Sequence, residues 1–209
     1  MIKNKCKACR RLGQKLFLKG ERCLSPKCAM VKRAYPPGLA GKRRKRRLSD
    51  YGKALREKQR LRSWYGLSER QFKKYVKEVL SKRGKVENLA EEFIKKLEKR
   101  LDNVIFRLGF SKSRSQARQL VLHGYFLINK KPITMPSYEV KKGDAIAIKE
   151  GKKRKTALKD LSATLKKKQV ASWLKIDKDK LEAELTGEPS LGEVLPPAEI
   201  PTIFEYYSR

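Results

Sequence analysis

The sequence predicts an α+β protein: an N-terminal four-cysteine metal knuckle and a small helical domain, then two helices packed on a small antiparallel sheet, with an extended C-terminal tail. Three observations predict it. All four cysteines fall within residues 1–35 as two close pairs. Apolar residues recur at helical spacing from about Leu55 to Val121, and the period switches to strand-like runs after Gly124. Beyond Lys168 the chain becomes Pro-rich and acidic.

The first element is Cys6-x2-Cys9, thirteen residues, then Cys23-x4-Cys28. Such spacing puts two thiol pairs at the ends of a loop that can fold back on itself, and four thiolates suit tetrahedral Zn²⁺ with no open position, a structural site. Four cysteines also suit a four-iron iron–sulfur cluster, so the metal stays open. Two disulfides or four unpaired thiols are the other readings; the N-terminus shows no apolar run or cleavage site of a secretory signal, so a reducing, cytosolic compartment is expected. Lys5, Lys7, Arg10 and Arg11 flank the first pair and are expected to lower the thiol pKa. The Pro36-Pro37-Gly38 break ends a segment, 1–41, expected to fold with its metal independently of the rest.

The helical domain, 42–98, opens with the basic run Lys42, Arg43, Arg44, Lys45, Arg46 and Arg47. Ser49 or Asp50 caps a helix that runs through Leu55 and Leu61 to Gly66. Ser68 with Gln71 forms a capping box for a helix whose Phe72, Tyr75, Val76, Val79 and Leu80 share a face, and Leu89, Phe93 and Leu97 mark a third helix. The α+β unit, 99–163, has Leu101, Val104, Ile105 and Leu108 at helical spacing before Gly109. A second helix opens at Ser113 with Gln116 and closes at His123-Gly124. Strands are read at Tyr125–Asn129, around Tyr138 and Val140, and at Ala145–Ile148, with turns at Lys130-Lys131 and Gly143-Asp144. A Lys-rich helix to about Lys168 and an extended tail, 164–209, follow, the aromatic end being expected to return to the helical domain.

Charge speaks to partners. Against 22 Asp+Glu stand 54 Lys+Arg, a net charge of +32, so the molecule repels itself until a polyanion supplies counter-charge. The distribution is uneven: residues 1–62 carry 22 basic and 3 acidic side chains, residues 179–209 carry 2 and 7. The acidic end is expected to face solvent or protein. No apolar stretch approaches a membrane span, so no membrane partner is expected. A lone basic run is most simply a solvated tail or a localisation tag. Here a helix bearing Arg56, Lys58, Arg60 and Arg62 continues it into a basic stripe, and guanidinium forks that grip phosphate and stack on unpaired bases suit folded RNA. In the second helix of the α+β unit Ala117, Leu120 and Val121 turn to the core, leaving Arg114, Arg118 and Gln119 outward; the lone histidine, His123, is read as a local hydrogen-bonding group or RNA contact.

Arg100-Leu101-Asp102-Asn103-Val104 through Arg107-Leu108-Gly109-Phe110, Ser115-Gln116-Ala117-Arg118-Gln119-Leu120-Val121, His123-Gly124 and Pro136-Ser137-Tyr138 resemble the RNA-binding domain named after the fourth protein of the small ribosomal subunit. With Leu48-Ser49-Asp50-Tyr51-Gly52, Tyr65-Gly66, Glu69-Arg70-Gln71-Phe72 and the terminal Glu205-Tyr206-Tyr207-Ser208-Arg209, nearly the whole chain is similar to the bacterial-type S-four family, in a four-Cys variant. The resemblance implies a structural constituent of the small subunit that binds 16S-type rRNA at a helix junction, nucleates assembly and contributes to translational accuracy. It implies further that the basic run lies near mRNA at the entry channel, and that neighbours include the S-five and S-three proteins. It adds Arg70, Arg100, Asn103, Arg107, Ser113, Ser115, Gln116, Lys130, Lys131, Ser137 and Tyr138 to the RNA-binding candidates.

Two readings from other classes compete. An RNA-modifying or RNA-quality-control protein using the same module needs a catalytic domain, yet there is no G-x-S-x-G, and Gly38-x2-Gly41-Lys42 lacks phosphate-loop spacing. A zinc-dependent DNA-binding regulator needs a base-reading helix and a dimer element, and neither is visible. No enzyme activity is expected.

Overall fold

Serine and asparagine caps start most of the longer helices. The computed structural model describes residues 4–38, 47–153, 155, 158, 161, 165, 170–177 and 180–208, so the basic residues at 42–46 lie outside the described residues. The chain divides into two units, one of residues 1–93 with 195–209 and one of residues 94–194.

In the first unit, α1 (Lys5–Leu12) ends at Gly13, α2 (Ala29–Lys32) is a single turn, and α3 (Asp50–Tyr65) and α4 (Glu69–Leu80) are the long elements. The Ser49 hydroxyl accepts from the Gly52 amide at 3.2 Å and that of Ser68 from the Gln71 amide at 3.2 Å, satisfying helix-end donors that would otherwise be orphaned. Gly66, at φ +69°, closes α3 in a left-handed conformation. The start of α5 (Leu89–Glu98) was not legible in its apolar spacing: the Asn88 side chain accepts from the Ala90 and Glu91 amides. Leu61, Phe72, Val76 and Phe93 are buried with Ile203 of the C-terminal helix (Ile200–Ser208), which packs on α3 and α4. Phe72 and Phe93 meet edge to face at 5.6 Å, and Phe93 meets Phe204 at the same distance. Each ring contributes roughly 1.5–3 kcal/mol by leaving water.

The cysteine segment departs from the expectation of an independent knuckle. Cys6 and Cys9 lie one turn apart on α1, Cys23 ends a 3-10 turn (Gly20–Cys23), and Cys28 precedes α2. Cys9, Leu16 and Leu18 pack with Leu12, Met30 and Trp64 of α3, so the segment shares apolar contacts with the helical unit.

The second unit packs α6 (Leu101–Leu108) and α7 (Arg114–Leu122) with an antiparallel sheet of order β2-β1-β3-β5-β4. Its strands are β1 (Phe126–Ile128), β2 (Lys131–Pro132), β3 (Ala145–Ile148), β4 (Leu174–Asp177) and β5 (Glu182–Leu185). Ile146 pairs with Ile128 and Ala183, which puts Phe126, Ile128, Ile146, Ile148, Ala183 and Leu185 on the core side.

Four expectations change here. Lys131 opens β2 instead of sitting in the turn, which is Asn129-Lys130 with both residues at positive φ; Asn129 Nδ2 donates to Asp144 Oδ1 at 2.8 Å and Asn129 Oδ1 accepts from the Ala145 backbone amide. Tyr138 and Val140 form no strand, because their backbone is used elsewhere: the Tyr138 carbonyl accepts from Leu101 N and the Val140 amide donates to the Lys99 carbonyl, leaving one bridge between Arg100 and Glu139. The stretch from Leu174 to Leu185, read as extended tail, is a hairpin that adds two strands to the sheet. Finally, the division falls at 93/94 and 194/195 instead of 98/99 and 163/164, since Glu98 bonds to Asn103 and Arg107, and Lys95 and Lys99 reach Glu188. Of the Lys-rich helix, α8 (Glu150–Lys153) is present, Leu158, Leu161 and Leu165 are buried, and most of the remainder to 168 lies outside the described residues. Among the described residues no helix is long and apolar enough to cross a membrane.

Candidate nucleic-acid interface

On the α6–α7 side of the second unit, two buried carboxylates organise the arginines. Glu98 forks with Arg107, Nε to Oε2 at 2.8 Å and Nη2 to Oε1 at 2.9 Å, and also accepts from Asn103 Nδ2 at 2.6 Å. Asn103 Oδ1 in turn accepts from Arg114 Nε at 2.7 Å, and the Arg114 guanidinium lies 4.6 Å from the Phe106 ring centre. Asp102 takes Arg100 with both oxygens, at 3.1 and 2.8 Å, and stands 3.6 Å from Arg118 Nη1. Arg107 and Arg118 keep 22% and 29% of their side-chain surface.

Arg100 and Asn103 are buried and engaged within the fold, which removes them from the surface set expected to touch RNA. Ser113 is likewise spent on the α7 cap, its hydroxyl accepting from the Gln116 amide, while the Gln116 side chain accepts from Lys112 N. Gln119, His123, Lys130 and Lys131 are exposed, and Ser115, Ser137 and Tyr138 are half-buried, Tyr138 against the core. Sequence reasoning passed over Glu98 and Asp102. The available signal was chemical: acids embedded in an arginine-rich, otherwise apolar stretch.

The helical unit uses its cations differently. Lys58 is buried, its Nζ 2.7 Å from Glu69 Oε1 and 4.5 Å from the Tyr206 ring centre, and the Tyr207 hydroxyl donates to the same glutamate oxygen at 2.8 Å. Lys58 therefore holds the C-terminal helix to α3 and α4 and does not face a ligand, contrary to the expectation that it extends the basic stripe. Burial raises the Glu69 carboxyl, but hydrogen bonds from Lys58 and Tyr207 and the charges of Lys58 and Arg62 outweigh it and leave the group below its usual range. Burial, then the bond to Glu69, drives the Tyr207 phenol far up. Arg60 pairs with Glu57 at 2.6 Å and Arg62 with Glu69 at 3.4 Å; Arg47 and Arg70 are exposed and Arg56 is half-buried. An open groove of about 1060 Å³ runs along this face, its lining mixed in charge: Lys53, Arg56, Arg60, Lys73 and Lys77 stand with Asp50, Glu57, Glu69, Glu199 and Glu205.

All four cysteines line one small cavity with Leu16, Leu18 and Met30, and Lys5, Lys15 and Lys19 stand at its wall. The Lys19 amide donates to Cys23 Sγ at 3.4 Å. Burial pushes the Cys9 thiol up, and its three sister cysteines push the same way, so the flanking cations do not lower it as expected. Arg10 is turned away, its Nε donating to the Tyr35 carbonyl. Burial and the neighbouring Lys19 charge lower the Lys5 pKa. Among the described residues no group of three or more Cys, His, Asp or Glu is arranged to hold a metal ion. The donor chemistry nonetheless suits one: four thiols and no carboxylate line the cavity, beside lysines that would offset a tetrathiolate.

Residues 1–102 match the family model of the ribosomal protein S4/S9 N-terminal domain, and residues 99–146 match that of the S4 domain. The chain is similar to the small ribosomal subunit protein uS4 of Thermus thermophilus, 45% identical over 98% of this chain and 96% of the relative. It is similar also to uS4 of Thermotoga petrophila, 43% identical, and of Syntrophobacter fumaroxidans, 41% identical, with the same coverage.

Proposed function

The chain belongs to the small ribosomal subunit protein uS4 family, and we propose from that premise that it is a structural constituent of the small subunit, binds small-subunit rRNA directly, and nucleates assembly of the subunit body. Its part is to hold RNA, not to transform it, and its place is the ribosome in the cytoplasm. The observation that carries the reading is the pair of partly exposed guanidinium groups of Arg107, forked to Glu98, and Arg118, 3.6 Å from Asp102, with Gln119, His123, Lys130 and Lys131 exposed in the same unit of a chain of net charge +32. Fixed forks of this kind grip phosphate, and exposed polar side chains add contacts to RNA edges. Filter binding of the full chain to a transcript of the rRNA 5′ domain, with tRNA and duplex DNA as competitors, tests it. Equal competition by all three would remove the reading.

The finer reading has three parts. The basic run, of which exposed Arg47 is the described end, lies near the mRNA entrance; replacing Arg43, Arg44, Arg46 and Arg47 by Gln is expected to spare entry into the particle and slow translation of hairpin-bearing messages more than unstructured ones, an effect on accuracy included. Neighbouring proteins, S-five and S-three among them, meet the acidic C-terminal region, whose charge suits protein better than phosphate. Cys6, Cys9, Cys23 and Cys28 hold a structural Zn²⁺, which would tie α1, the 3-10 turn and the start of α2 together. Metal analysis and absorbance near 400 nm separate zinc from a four-iron cluster, and Cys9→Ser is expected to release the metal.

A further inference from the structure

Glu98 and Asp102 are acids with no direct part in contacting an anionic ligand, and their burial needs a reason. Glu98 is 0% exposed and Asp102 5%. Taking a carboxylate out of water is costly, and the cost is offset only where the geometry is good and the remaining lone pairs are satisfied. Both conditions hold here. Glu98 spends both oxygens on Arg107 and one also on Asn103, which passes the constraint to Arg114 through its own oxygen. Asp102 spends both on Arg100 and lies beside Arg118. All these residues belong to one unit.

The consequence concerns entropy. A free arginine carries rotamer entropy that binding must remove, and pre-ordering the side chain during folding removes it beforehand. We infer that Glu98 and Asp102 are positioning residues for RNA binding: Glu98 holds Arg107 by one edge and, through Asn103, Arg114, while Asp102 stands beside Arg118, so that these guanidinium groups are set before RNA arrives. This rests on the RNA-binding reading above. It carries a sign that simple electrostatics reverses. Removing a negative charge beside a polyanion site should tighten binding if charge alone mattered; removing a positioning acid should weaken it.

The experiment measures affinity of the full chain for the rRNA 5′-domain transcript, at a temperature where every variant is folded by circular dichroism. Glu98→Gln is expected to weaken binding about tenfold, Arg107→Gln by a similar factor, and the double variant to be little weaker than Arg107→Gln alone, as residues acting as one unit are not additive. Asp102→Asn with Arg118→Gln repeats the cycle on the second acid, and stands in should Glu98→Gln fail to fold. A purely structural role would lower the melting temperature and leave affinity in the folded range unchanged. Unchanged or tighter binding by the acid variants, or penalties that multiply in the double variants, overturns the inference while the arginine variants still uphold RNA binding. Wild-type chain that does not prefer the transcript overturns the reading beneath it.

Discussion

Lys58 in the helical unit and Arg107 in the sheet-bearing unit each lie within 3 Å of a glutamate oxygen, at 2.7 and 2.8 Å, but the pairs are inverted. In the first the cation is the buried member, 6% exposed against 43% for Glu69; in the second the acid is buried, 0% against 22% for Arg107. The member that faces water decides what a pair can do. A lysine sealed between Glu69 and the rings of Tyr206 and Tyr207 stabilises a helix contact. An arginine held by its inner edge remains able to meet phosphate.

Salt should have the largest effect. If the exposed cations meet ~6–10 phosphates, affinity for the rRNA transcript should fall by roughly 10³ to 10⁵ between about 50 and about 200 mM salt. A flat response in filter binding would mean that neither kind of pair serves an electrostatic interface. Next in size is Phe72→Ala, which opens the aromatic contact with Phe93 and Tyr207 and should cost about 3–5 kcal/mol of helical-unit stability in urea titration. Wild-type-like exchange protection of the amides in β1 and β3 is expected to accompany it; loss in both units would show that they unfold as one.

Lys58→Met sharpens the contrast directly. Removing the sealed cation should destabilise the helical unit by about 1–2 kcal/mol, less than a fully buried pair because Glu69 is partly solvated, and leave RNA affinity unchanged. A drop in affinity as large as that of Arg107→Gln would erase the distinction between the two pairs. The smallest effect is that of pH. Glu69 has a folded-state pKa below its ordinary value near 4.5, so its contribution is present above that value and is lost as pH falls through the lower one. Urea midpoints from about pH 6 down to about pH 3 should therefore fall less steeply in Glu69→Gln than in wild type; parallel curves would place the acid sensitivity elsewhere.

Much of this was legible in the residues themselves. Ser49, Ser68 and Ser113 mark helix starts because a short hydroxyl side chain satisfies a helix-end amide wherever the helix stands, and the apolar spacing of α4, α6 and β3 names core residues by period alone. The net charge and the family-like segments indicate a polyanion partner before any coordinate is known. The sequence could not sort the cations, since Lys58 and Arg62 lie four residues apart on one helix and only the C-terminal helix, some 140 residues on, decides that the first is covered. Nor could it place β5 beside β3, which is a pairing between residues near 146 and near 183. Local rules act over one helical turn and are written in neighbouring residues. Burial of a charge and the edge of a sheet depend on which distant segment arrives, and that is decided by tertiary packing.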